Sequence, residues 1–67
     1  MDGQTDELIV KTLKESKKPL TAYEIAKKLR ISWPTATKHC MSLLVEGKIE
    51  REVKSSLSGK KILWRVK

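Results

Sequence analysis

Phenylalanine is absent, and two Trp and one Tyr are the only aromatic residues in the chain. A core must therefore be built from aliphatic side chains, which makes the position of each ring informative. The one cysteine, Cys40, excludes an internal disulfide framework and suits a reducing compartment. The one histidine, His39, is its neighbour, and adjacent side chains leave a helix about 100° apart, so the two do not face each other as nucleophile and base. No second His or Cys completes a zinc site, and three Gly are too scattered for a phosphate-cradling loop. No apolar run approaches the roughly 20 residues of a membrane span, and no signal-peptide pattern follows Met1. These absences argue against an enzyme, a metal site or a bound cofactor, and place the protein inside the cell.

What is present is positive charge. Fifteen Lys and Arg stand against 8 Asp and Glu for a formal charge of +7, with an isoelectric point near 9.8. Its distribution says more than its total. Between Glu24 and Glu46 the only charges are Lys27, Lys28, Arg30 and Lys38, and after Glu52 come Lys54, Lys60, Lys61, Arg65 and Lys67 with no acid. Acids gather instead at Asp2, Asp6 and Glu7. One basic side is the footprint of a phosphate-binding surface.

The 67 residues fit a single domain spanning 1–67. A domain this small buries only about 60% of the surface its unfolded chain exposes, too little for a deep catalytic cavity. A first helix is expected from about Asp6 to Ser16, with Thr5 or Asp2 near its start and Leu8, Ile9, Thr12 and Leu13 on one face. Lys17 and Lys18 follow and Pro19 stops it. Leu20 is extended, and Thr21 with Glu24 forms a capping-box pattern that opens a second helix, striped by Ala22, Ile25, Ala26 and Leu29. After a turn over Arg30 to Ser32, a third helix starts at Ser32 or Trp33, carries Pro34 in its first turn and ends at Gly47. Ala36, Cys40, Leu43 and Leu44 form its buried stripe. From Lys48 the period changes: Ile49, Arg51 and Val53 alternate with Glu50, Glu52 and Lys54, and Ile62, Trp64 and Val66 with Leu63, Arg65 and Lys67. These are two strands, joined by a long, flexible Ser55 to Gly59 tip.

The result is an α+β domain, a three-helix bundle with a helix-turn-helix and a C-terminal β-hairpin wing. In Thr21 to Leu29, Ile31-Ser32, Pro34-Thr35, His39, Leu43, Gly47 and the paired strands the chain resembles the winged helix-turn-helix DNA-binding domains, particularly small bacterial and archaeal transcription regulators. The resemblance implies a double-stranded DNA partner, with the third helix (about 33–46) in the major groove and the wing (about 54–61) on the backbone. On that helix it singles out Ser32, Trp33, Thr35, Thr37 and Lys38, with Met41 and Ser42 beyond. On the wing it singles out Lys54, Lys60 and Lys61. His39 is added as a packing or phosphate-contacting residue, and Trp33 as either a DNA contact or a cover for the second helix. No Arg, Asn or Gln stands on the helix, so strong sequence specificity is not expected. Residence in the cytoplasm, with the nucleoid, follows from the same resemblance.

The Z-DNA-binding domains are also similar, in length, in the Gly-Lys before the hairpin and in a wing tryptophan like Trp64. They carry an asparagine and a tyrosine where this chain has Thr37 and Met41, and a proline pair in the wing that this chain lacks. The rival reading is a winged helix serving as a protein-interaction module, since one fold hosts many functions. Regulators of this type commonly dimerise through an added helix; none follows the wing strand here, and pairing of two copies would fall to the N-terminal helix. No group suited to sensing a small-molecule effector stands out.

Overall fold

A computed structural model describes residues 2–67, except for the side chains of residues 2 and 3. Three helices, α1 (Asp2–Glu15), α2 (Ala22–Leu29) and α3 (Trp33–Val45), precede the antiparallel strands β1 (Ile49–Ser56) and β2 (Gly59–Val66). Each helix packs on the other two, and all three meet the hairpin. Among the described residues no helix is long and apolar enough to cross a membrane.

Helix α1 begins at Asp2 and not at Asp6, so Thr5 lies inside it. Extending an existing helix adds a hydrogen bond for each residue ordered, and nothing in Gly3-Gln4-Thr5 forbids it. The side chain of Asp2, expected among the acids at this end, lies outside the described residues. The buried stripe also differs from expectation. Ile9 and Leu13 are buried and Val10 packs on the core, whereas Leu8 is 44% exposed. The i, i+3, i+4, i+7 set is Asp6, Ile9, Val10 and Leu13, disguised in the sequence by the acid at its head.

The second helix starts as its capping box requires. Thr21 Oγ1 accepts from the Glu24 amide at 3.1 Å, and Glu24 Oε1 accepts from the Thr21 amide at 3.0 Å. Replacing such a cap by alanine costs about 1 kcal/mol. At the other end Arg30 adopts the left-handed conformation (φ 58°, ψ 43°), a strain of roughly 1 kcal/mol for a residue with a Cβ. Its N–H and that of Ile31 both donate to Ala26 O, which makes the turn into α3 tight. Ser32 is the N-cap of α3, and Gly47 takes the left-handed position (φ 78°) beyond its end.

The hairpin is longer and its tip shorter than the alternation implied. Ser55 and Ser56 continue β1, so only Leu57 and Ser58 connect the strands. The hydroxyls of Ser56 and Ser58 share a hydrogen bond of 2.9 Å, Ser56 Oγ donates to Gly59 O at 3.2 Å, and Gly59 takes φ 129°. Serines that read as loop-forming thus close a turn. The register pairs Ile49 with Val66, Arg51 with Trp64 and Val53 with Ile62. Only the base of this face is buried: Ile49 and Trp64 join the core, while Val53 and Ile62 stand out beyond it. Leu63, on the opposite face, is buried too, outside the contiguous core. Leu20 clamps the base to the bundle, its N–H donating to Trp64 O at 2.9 Å and its carbonyl accepting from the Trp64 amide at 2.7 Å.

Candidate nucleic-acid interface

Burial divides α3 into two faces. Ala36, Cys40 and Leu43 are fully buried, Leu44 packs partly on the core, and Trp33, Lys38, Met41, Ser42 and Val45 are exposed. Ser32 and Thr35 are held by each other: their hydroxyls share a hydrogen bond of 2.7 Å, and Ser32 Oγ accepts the Thr35 amide at 3.4 Å. This fixes the exposed first turn of the helix.

His39 does not belong to the outer face. Its ring is buried, with Nδ1 2.8 Å from Asp6 Oδ1 on α1, so it joins two helices inside the bundle and is not available to a phosphate. The spacing explains this: 36, 39, 40 and 43 form an i, i+3, i+4, i+7 set, and a histidine occupies its second position because an acid waits across the interface. Cys40, next to it, has its thiol pushed up to about 12, first by burial and then by the nearby Asp6 carboxylate. A thiol so protonated and enclosed is a poor nucleophile. In the native state at pH 8 it should resist alkylation, and its modification rate should follow unfolding as denaturant is added; rapid native-state labelling would contradict this burial.

Thr37 is also placed differently from a simple outward contact. It lies at the rim of the outer face, but its Oγ1 is buried and has no hydrogen-bond partner among the described residues. Thr37→Val keeps the shape and removes the orphaned hydroxyl, so stability should rise by about 1 kcal/mol. For a domain of this size that is about 4–8 °C in Tm. A lower Tm in a thermal melt would show that the hydroxyl is satisfied in solution.

The wing lysines are all exposed. Lys54 and Lys61 are register partners and Lys60 stands opposite Ser55. Like charges facing each other across strands cost stability, and no carboxylate pairs with any of the three among the described residues. Glu24 lies close enough to Lys18 and Lys61 to feel them, yet it is held by the capping box. The Thr21 amide is the main reason its pKa lies below the usual carboxylate value; partial burial opposes this, and the two lysines add smaller pulls.

Helix and wing meet in a groove of about 280 Å³ whose lining includes Tyr23, Trp33, Thr37, Lys60, Lys61 and Trp64, together with Ile62, Thr21 and Ala22. The fold therefore brings together four of the expected residues, Trp33, Thr37, Lys60 and Lys61. Lys38, Lys54, Ser32 and Thr35 lie outside the groove. Sequence reasoning passed over Tyr23. The available signal was an aromatic residue on α2 off the stripe of Ala22, Ile25, Ala26 and Leu29; it is 64% exposed. Among the described residues no cluster of His, Cys, Asp and Glu is arranged to hold a metal ion.

No protein-family model and no curated protein sequence matches the chain. Solved structures do. The apo-Zalpha domain of zebrafish PKZ superposes with a TM-score of 0.85 at 20% identity, over 97% of this chain and 94% of that one. The Zalpha domain of Carassius auratus PKZ, crystallised in complex with Z-DNA, gives 0.80 at 17% identity, over 98% of this chain and 97% of that one. A PadR family transcription regulator from Clostridium difficile gives 0.77 at 24% identity, over 94% of this chain and 71% of that one. The chain has the winged helix-turn-helix fold.

Proposed function

We propose that this domain binds double-stranded DNA and serves as a transcription regulator. In this reading the exposed first turns of α3, with Trp33, Thr35 and Lys38, enter the major groove, and Lys54, Lys60 and Lys61 meet phosphates from the wing. One observation carries the reading: the wing folds back so that Lys60 and Lys61, unpaired with any acid among the described residues, share a groove with the exposed end of α3. Among the described residues no carboxylate lines that groove, so its charge suits a polyanion. The neighbours lend support, since one is crystallised with Z-DNA and another is described as a transcription regulator. Right-handed duplex is the target we favour, because α3 carries Thr37 and Met41 at the two positions where Z-DNA-binding domains carry asparagine and tyrosine.

Titrating a mixed-sequence duplex at two salt concentrations tests the proposal. Binding should weaken as salt rises, and Lys60→Ala and Lys61→Ala should each lower the log–log salt slope by about one unit whatever the sequence. Absence of binding at low salt would overturn it.

A further inference from the structure

All three aromatic residues of the chain, Tyr23, Trp33 and Trp64, line one groove. Chance placement of so few rings would scatter them, and a folding requirement would bury them. Only Trp64 is buried, as the floor. Tyr23 and Trp33 stand 64% and 55% exposed on its walls, with Ile62 also 45% exposed. Exposed rings gathered in one place mark a surface awaiting a partner. The remaining chemistry narrows that partner: Lys60 and Lys61 line the same groove, and among the described residues no carboxylate does. A ligand that fits has a flat apolar face and an adjacent negative charge.

An intact duplex offers phosphates and base edges at its surface, where Trp33 can make edge contacts, but keeps the faces of its bases stacked inside, so it offers the two rings nothing to stack on. We propose that this groove receives an unstacked nucleobase, as found in single-stranded DNA or at a bulge, with Trp33 and Tyr23 as stacking faces and Lys60 and Lys61 on the flanking phosphates. The floor is well suited to the task. The N–H and the carbonyl of Trp64 are both bonded to Leu20, so the cleft is set before any ligand arrives. Its volume of 280 Å³ lies near the lower end of the usual range for small-molecule sites, roughly 300 Å³ and above. The inference rests on the nucleic-acid reading of the same surface and narrows what that surface prefers.

The test compares three probes by fluorescence anisotropy: a plain duplex, the same duplex with one unpaired thymine, and a short oligothymidylate. The bulged duplex should bind about tenfold more tightly than the plain one, the scale of a single base–aromatic stack. Trp33→Ala and Tyr23→Ala should each shrink that ratio towards one, and Trp33→Tyr should preserve it; both residues are exposed enough for the variants to fold, which circular dichroism checks. Equal affinity for plain and bulged duplex would overturn this inference and leave duplex binding intact. Binding of the bulged and single-stranded probes without the plain duplex would uphold it while overturning the duplex reading. Failure of all three probes to bind would overturn both.

Discussion

Trp64→Ala is expected to cost about 3–5 kcal/mol, against a total stability of roughly 3–10 kcal/mol for a domain of this length. The indole is 2% exposed and belongs to the core, and the same residue carries both backbone hydrogen bonds that attach the hairpin to Leu20. Losing the side chain opens a cavity where the two-stranded sheet meets the bundle, and a lone hairpin is at best marginally stable in water. The wing should loosen first, so amide protection along β1 and β2 should fall before that of the helices, and Tm should drop by more than 10 °C. Trp33→Ala is the matched control. Its ring is 55% exposed, so the loss should be a fraction of that seen at Trp64. Equal losses at the two tryptophans would mean that Trp33 is also structural and would remove it from the interface.

The second large effect lies on the inner side of α3. Leu43 is fully buried, and Leu43→Ala should cost about 2–5 kcal/mol because the surrounding helices cannot collapse fully into the space. Val45, two residues on, is 87% exposed, and Val45→Ala should change stability by less than about 0.5 kcal/mol. Chemical denaturation of the pair measures the division of the helix into core and outer face. If Val45→Ala proved as damaging as Leu43→Ala, the outer face would be covered in solution, most simply by a second copy.

Much of this organisation is legible in the chain because its signals are local. Thr21 and Glu24 meet three residues apart, Pro34 and Ser32 start α3 from within one turn, Gly47 ends it, and alternation marks two strands. Such signals act through backbone groups a few positions away, so they set element order whatever the rest of the chain does. The wing lysines and the polar turn of α3 were legible for the same reason. The start of α1 and the length of the hairpin tip were not, since no residue there forbids the longer element.

The remaining features depend on residues far apart in sequence. Asp6 and His39 each occupy a stripe position on a helix, where either alone looks like a polar residue facing water; only the packing of α1 on α3 reveals that each satisfies the other. Leu20 finds Trp64 in the same way, and so the wing acquires its angle. The groove that gathers Tyr23, Trp33 and Trp64 exists only after both events. Local propensity determined which elements form and where the charge lies. Tertiary packing decided which polar residues are core, and which three rings face one cleft, because those outcomes depend on partners that no short window of sequence contains.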